Sequence, residues 1–480
     1  MRKLLLVQLC LVVLCSGAFS QAVSIHTYGL GSVNEAPCLR VTLDQCFIIE
    51  GTTTGYGNSQ TDFYLMKTDT SGHFLWARAF GGGFLDNANS VVQTPDSGYL
   101  IVGYTNSFSG NHDYDGYIVR TDKNGDFLWD KIIGTADWDF ISSVQLLPDS
   151  GFIIAGNSYG NGSGLSAGWV VKLNAAGTKE WEKFVAGSGT TELKNIILLS
   201  NGNYAACGWT FDPSSQTEKA FATEISSSVH DTVWTFTFNG QYTNHFYALR
   251  EFSDAGLALT GDFSNDSVHY PINVRLSAIG TLDWLQIYYL NGHNAYYDLA
   301  LRNDSIVNLG YSTSIGQGNK DFHLVIHDSL GTYLDGTSFG GASDETGYSL
   351  ALFPDCGYVS CGTTTSYGPS TQSIYITRTD CAFTTPVGVT INVDEVHDQN
   401  RISIYPNPAK NYFKISMPDK QVSAGVFTVD IFTLSGIEVQ HGIHVMNGSQ
   451  TDISNLADGI YLVQISGSKS EMMRALLIKN

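Results

Sequence analysis

Seven apolar runs in this chain end in a glycine at nearly constant spacing. The intervals between successive glycines are 49 to 53 residues. A period of this length predicts one supersecondary unit repeated seven times. We call these residues the periodic glycines: Gly51, Gly103, Gly156, Gly208, Gly261, Gly310 and Gly362.

The second unit shows what is repeated. Ser90–Gln93 reads as a short strand, and Tyr99–Gly103 as a near-continuous apolar strand of the kind buried on both faces. Gly116–Arg120 alternates like a third strand, and Phe127–Ile133 is a fourth, with tight turns between them. Four antiparallel strands in about 52 residues predict the blade of a β-propeller.

A tryptophan recurs in the fourth strand of the units, and we interpret it as a residue that packs between adjacent blades. The sixth unit has Asp335 in that register. The recurring residues are Trp76, Trp129, Trp181, Trp234 and Trp284.

The seventh unit lacks a fourth strand before the sequence changes character at Pro386. Residues 24–29 precede the first unit and resemble Arg78–Gly81 of its fourth strand. We therefore predict that the N-terminal strand completes blade seven, so that a seven-bladed propeller spans residues 21–385 and both sheet edges are covered.

The ends of the chain carry export signals. Arg2 and Lys3 precede an apolar run from Leu4 to Leu14, and small residues follow up to Ser20. This pattern predicts a signal peptide over residues 1–20 and a mature chain outside the cytoplasm. No other apolar stretch has the roughly 18 residues of a membrane span.

The net charge of the chain excludes two classes of binding partner. Residues 21–400 carry 16 basic and 39 acidic side chains, a net charge of −23. Such a surface repels nucleic acid and anionic lipid.

No cysteine spacing fits a zinc site. The six mature cysteines allow several disulfide pairings, or buried free thiols, and the sequence does not choose among them.

Residues 386–400 read as a linker, and residues 401–480 as a small β-sandwich. Pro406 and Pro408 bracket Asn407 and exclude a helix there. Alternating strands are predicted at Tyr412–Ile415, Val426–Ile431 and Ile460–Ile465.

Two family resemblances accompany these patterns. Residues 27–385 resemble a family of bacterial secreted propeller repeats, through blocks such as Asp96–Gly103 and Asp115–Asp122, which implies fold but no common ligand. The C-terminal segment resembles the type A sorting domain of type IX secretion cargo. The matching blocks include Tyr405, Pro406, Asn407, Pro408, Gly459, Tyr461 and Lys479. This resemblance implies a Bacteroidota-type source, recognition of residues 401–480 by the outer-membrane translocon, and a cell-surface or secreted product.

One polar position precedes each first strand, 17 residues before the periodic glycine. It predicts either a polar ring at the channel mouth that holds a cation or small polar ligand, or side chains that cap turn backbone and bond between blades. The seven residues are Asn34, Asp86, Asp139, Thr191, Asn244, His293 and Glu345.

The loop after each periodic glycine should lie on the same face, and most of these loops carry an aromatic residue. The rings would either stack on sugar faces or pack back on their own blades. They are Tyr56, Phe108, Tyr159, Phe211, Phe263 and Tyr367.

No catalytic signature is present in the sequence. Asp122–Asp126 resembles part of a calcium loop but lacks the distal glutamate, so we expect no cofactor, with calcium as the one cation left open. We expect a monomeric, non-enzymatic binding protein for a glycan or a surface protein. The alternative is a polysaccharide hydrolase or lyase that uses acids such as Asp86 and Asp139.

Overall fold

The computed structural model is all-β, and no described residue is helical. It divides into two compact units, residues 1–396 and 397–480. The described residues are 24–29, 33–55, 60–108, 113–160, 165–185, 189–265, 268–354, 356–368, 370–380, 392–395, 403–405, 410–416, 427–433, 438–446, 449–457, 459–466 and 472–479.

The first unit is a propeller of seven sheets, as predicted, and in blades one to six the antiparallel strands follow in chain order from the channel outward. Strand β1 is Ser24–Gly29. Blade one is β2 (Asn34–Val41), β3 (Phe47–Thr53), β4 (Asp62–Thr68) and β5 (Phe74–Phe80). Blade two is β6 (Asp86–Gln93), β7 (Tyr99–Thr105), β8 (Asp115–Thr121) and β9 (Phe127–Ile133). Blade three is β10 (Asp139–Leu146), β11 (Phe152–Ser158), β12 (Ala167–Leu173) and β13 (Lys179–Val185).

The remaining blades follow the same order. Blade four is β14 (Thr191–Leu198), β15 (Tyr204–Asp212), β16 (Thr217–Ile225) and β17 (Thr232–Thr237). Blade five is β18 (Asn244–Glu251), β19 (Leu257–Asn265), β20 (Val268–Leu276) and β21 (Leu282–Ile287). Blade six is β22 (Asn294–Arg302), β23 (Ser305–Ser312), β24 (Asp321–His327) and β25 (Tyr333–Phe339). Blade seven has β26 (Glu345–Leu352), β27 (Tyr358–Thr364) and β28 (Ser373–Thr379).

The N-terminal strand closes blade seven, as predicted. β1 pairs antiparallel with β28, with Tyr28 opposite Ile374. A further strand, β29 (Asn392–Glu395), pairs parallel with β1 on its outer side. The predicted linker over residues 386–400 therefore contains a strand, which the poorly periodic composition of that segment did not indicate.

The periodic glycines have a common structural cause. The first strand of every blade contains a β-bulge after its third residue, as between Ile141 and Ser143 in blade three. The bulge brings the carbonyl oxygen of the strand's second residue against the periodic glycine, as Phe140 O against Gly156. A Cβ at any of the seven glycines would overlap such an oxygen, so only glycine fits.

The residue after the bulge links neighbouring blades. The Ser90 hydroxyl accepts a hydrogen bond from the Val144 peptide of the next blade, and Asn195 accepts one from Leu249. Ser349 of blade seven accepts the Leu39 peptide of blade one at 3.1 Å, so the link continues across the closure. These side chains satisfy buried backbone donors around the channel.

The recurrent tryptophan packs against the turn of the following blade. Gly125 lies on the Trp76 ring and Gly177 on the Trp129 ring, so close that no side chain would fit at either glycine. Blade seven has no turn between its third and fourth strands, because β1 comes from the other end of the chain. Asp335, opposite Ile326 in blade six, therefore has no such turn to cover.

Four of the cysteines that the structure describes are free thiols. Cys38, Cys207 and Cys361 are free and buried, and Cys46 is free and half-buried. Cys356 is disulfide-bonded.

The second unit contains two sheets. One has the order β30 (Ser403–Tyr405), β31 (Tyr412–Ser416) and β34 (Gln450–Asp452). The other has the order β33 (Glu438–Val445), β32 (Phe427–Thr433), β35 (Gly459–Ser466) and β36 (Met472–Lys479). Side chains of both sheets, including Phe413 and Val463, share one buried core, as expected for a sandwich.

Candidate functional site

The loops after the periodic glycines and the connections between blades meet at one edge of the propeller, which we call the loop face. In blade two, the Leu85 peptide donates to Asn106 Oδ1 at 2.8 Å and the Phe84 peptide to Ser107 Oγ at 3.0 Å. These bonds join a blade connection to the loop beside it.

The predicted polar ring is buried rather than open to the channel. Asp86, Asp139 and Glu345 have exposed fractions of 0%. Asp139 Oδ2 accepts the Thr135 peptide at 2.6 Å, and Glu345 Oε2 accepts the Gly341 peptide at 2.7 Å, so each carboxylate caps the connection that precedes its strand. Asn34, Thr191 and Asn244 are also buried and hydrogen-bonded. This geometry is that of turn caps.

The register prediction for His293 is wrong by one residue. The structural equivalent in blade six is Asn294, which is buried and opposite Ser312. The cause is a shortened turn between β22 and β23, where Asn303 and Asp304 both have positive φ. His293 itself is exposed, and its ring centroid lies 5.9 Å from that of His269.

Each of three ring acids faces a second acid from the preceding blade. Burial and the nearby Asp86 raise the pKa of Asp62 to about 6. Burial and Asp139 likewise raise the pKa of Asp115 to about 6. The third pair is Asp321 and Glu345, and burial raises the pKa of Asp321 too. Asp86 and Asp139 are thus paired with their own neighbours and not with each other.

The predicted loop aromatics differ in how far they are exposed to solvent. Phe108 is 47% exposed and its ring lies 5.3 Å from Tyr117. Tyr367 packs back, stacked on Tyr375 with its hydroxyl donating to Gly340 O at 3.0 Å. Phe263 is buried and Phe211 half-buried. Tyr56 lies outside the described residues.

Tyr159 belongs to an aromatic cluster that the sequence did not predict. Its ring lies 6.2 Å from Trp138, which is 48% exposed and lies 5.5 Å from Tyr114. We call Tyr104, Tyr114, Trp138, Phe140 and Tyr159 the aromatic patch. Trp138 precedes a first strand, so the pattern of aromatic residues after the periodic glycines does not include it.

The central channel is a concave feature that all seven blades share. A cavity of about 420 Å³ is lined by the bulged residue of each first strand. These residues are Pro37, Asn89, Ser142, Lys194, Tyr247, Tyr297 and Tyr348. Alignment at the third position after the ring residue would have found them, but the bulge that turns them inward is not visible in the sequence.

A histidine between two carboxylates lies near the channel on blades four and five. His245 Nε2 is 2.8 Å from Glu218 Oε2, and its Nδ1 is 2.8 Å from Asp262 Oδ1. Although burial opposes protonation, the two carboxylates raise the pKa of His245 to about 9. Asp262 also holds His269 Nδ1 at 2.6 Å. Both nitrogens of His245 are engaged, so the cluster is a closed ion network between blades.

The calcium-like segment forms a hydrogen-bonded turn. Asp122 Oδ1 accepts the Asn124 and Asp126 peptides at 2.7 and 2.9 Å. Within the described part of the chain, no group of three or more His, Cys, Asp and Glu residues is placed to hold a metal ion. None of the described residues forms a helix long and apolar enough to cross a membrane.

Three residues of the predicted sorting motif meet in one strand pair. Gly459 is opposite Lys479 in β35 and β36. Tyr461 is buried and its hydroxyl donates to Ala457 O at 2.8 Å. Pro406, Asn407 and Pro408 lie outside the described residues.

Comparison with known proteins identifies the second unit. Residues 403–479 match the secretion system C-terminal sorting domain. The protein is therefore exported by the type IX system to the cell surface or the extracellular space. No curated protein sequence matches the chain.

Solved structures similar to the chain include propellers of distant sequence. PorZ, described as a surface component of the type IX system of Porphyromonas gingivalis, is 11% identical with a TM-score of 0.44, over 93% of this chain and 59% of that one. The WD40 propeller of Doa1 is 10% identical with a TM-score of 0.47, over 74% and 96%. The WD40 domain of Neurospora crassa Pan2 is 8% identical with a TM-score of 0.45, over 75% and 100%. The chain thus spans somewhat over half of the PorZ structure.

Proposed function

We propose that the propeller is a non-enzymatic module that binds extracellular glycan through the aromatic patch. The exposed indole of Trp138 carries this proposal. It is 48% exposed on the loop face and is held by Tyr114 and Tyr159, so its orientation is set before a ligand arrives. Sugar rings stack well on such preorganised aromatic faces.

The surroundings of the patch support recognition rather than hydrolysis. Asn87 Nδ2 donates to the Tyr104 hydroxyl at 2.9 Å at the edge of the patch, and such amides and hydroxyls can read sugar hydroxyls. A glycosidase needs two carboxyl groups facing one bond. Asp86 and Asp139 are instead buried against separate partner acids, and Asp139 caps a turn.

A glycan array probed with the mature protein tests the proposal. We expect the Trp138→Ala variant to lose at least tenfold in affinity for the glycans that the unaltered protein binds, because the stacking surface is gone. Phe127→Ala is the matched control, since Phe127 is 55% exposed on the outer strand β9 of blade two. Unchanged binding in Trp138→Ala would exclude the patch, and new reducing ends in the bound polysaccharide would favour an enzyme instead.

A further inference from the structure

The walls of the channel cavity differ sharply in chemistry. Blades five to seven contribute a continuous tyrosine wall, in which the Tyr297 ring lies 4.9 Å from Tyr247 and 5.5 Å from Tyr348. The opposite wall presents small polar groups, Asn89 and Ser142. The cavity volume of about 420 Å³ falls within the range of small-molecule sites, roughly 300–1,000 Å³.

Three cationic side chains line the channel, although the propeller as a whole is strongly acidic. Lys194 pairs with Glu192 at 3.0 Å, and Arg250 with Asp298 at 3.0 Å. Asp298 further accepts the Leu299 and Leu350 peptides. Glu192 and Asp298 therefore already have ion-pair or hydrogen-bond partners.

Arg40 is the third cation of the channel lining. Its guanidinium donates to its neighbour Leu39 O at 2.8 Å, and among the described residues no carboxylate lies within ion-pair distance of it. Arg40 lines both this cavity and a second one of about 530 Å³ beside it in the channel. Asp298 and Glu50 lie near Arg40, and burial raises the pKa of the Glu50 carboxyl well above its usual range.

We propose that the channel binds a small organic anion with one carboxylate on a ring-shaped body, such as a uronic acid. The carboxylate would pair with Arg40, whose planar guanidinium matches it in geometry and charge. The ring would lie against Tyr297 and Tyr348. This site is separate from the aromatic patch and does not depend on the function proposed for it.

Calorimetry on the mature protein with D-galacturonate and D-galactose tests the site without any mutation. We expect galacturonate to bind at least tenfold more tightly, because only the acid engages Arg40. Equal affinities, or no galacturonate binding at millimolar concentration, would overturn the proposal. Sodium sulfate is the third probe. If sulfate binds as tightly as galacturonate, the tyrosine wall contributes nothing and the proposed ligand class is wrong.

Two variants locate the site. Arg40→Gln should remove the preference for galacturonate, and Arg40→Lys should restore part of it. Arg78→Gln is the control, because Arg78 lies on the outer strand of the same blade and pairs with Asp126. If Arg40→Gln keeps the preference, the anion binds elsewhere. Glycan-array binding through Trp138 should be unchanged in Arg40→Gln, so the two proposals fail separately.

Discussion

At the scale of single residues, the periodic glycine and the β-bulge opposite it form one device. The bulge directs a carbonyl oxygen at the position where a side chain would start, as Phe140 O does at Gly156. In return, the bulged residue projects into the channel, as Ser142 does in the same blade. The glycine is therefore the sequence mark of a channel-lining residue about fourteen positions earlier.

We expect Gly156→Ala to destabilise the propeller by roughly 3 kcal/mol or more, because the methyl group would overlap Phe140 O and flatten the bulge. Gly83→Ala is the control, since no atom lies near its added methyl group, and it should stay within about 0.5 kcal/mol. Denaturant unfolding of both variants measures the difference. Similar losses in both would refute the steric explanation of the period.

At the scale of strands and blades, the closure distinguishes blade seven from the others. Six blades are completed by the strand that follows in sequence, but blade seven takes β1, which precedes blade one in the chain. Ile25 and Tyr28 of that strand are buried. The same arrangement leaves blade six without a turn to cover, which accounts for Asp335 in place of a tryptophan.

Deletion of residues 21–29 should lower the melting temperature by roughly 10 °C or more, because it uncovers the edge of β28 and the side chains packed under β1. Deletion of residues 21–23 alone is the control and should have little effect, since β1 begins at Ser24. Differential scanning calorimetry makes the comparison. An unaltered melting temperature after the longer deletion would mean that β1 does not hold the ring closed.

At the scale of the whole molecule, two sets of ionisable groups change the free energy of unfolding in opposite directions as the pH changes. Burial lowers the pKa of His323 and His327 to about 4, so their contribution to stability is present above about 6.5 and is lost as the pH falls toward 4. Asp62 and Asp115 have raised pKa values, so the folded state binds their protons more tightly. Stability therefore falls as the pH rises from about 4 through 6.

The variant Asp62→Asn, Asp115→Asn should be more stable than the unaltered protein at pH 8 and nearly equal to it at pH 4, because the amides carry no charge to desolvate. Unfolding free energies across this pH range test the expectation. Asp137→Asn, at an exposed position of a blade connection, is the control and should leave the profile unchanged. A double variant that loses stability at pH 8 would show that the carboxylates are favourable where they lie.

Much of the architecture follows from the sequence alone. The glycine period predicts seven blades because the same close contact between a glycine and a backbone carbonyl oxygen recurs in every blade. The missing fourth strand of the seventh unit predicts the N-terminal closure, and the motif around Gly459 and Tyr461 predicts the sorting domain. His293 shows the limit of counting, because a turn one residue shorter moves the buried position to Asn294.

The tertiary structure determines which side chains are buried as caps and which lie together on the loop face and in the channel. The polar ring residues turn inward as caps because the bulge and the blade connections place backbone donors beside them. Trp138, Tyr114 and Tyr159 meet only because adjacent blades bring separate loops together. The tyrosine wall and Arg40 share a channel because closure of the ring brings blades five to seven and blade one around it. These contacts join residues up to hundreds of positions apart, which no local spacing records.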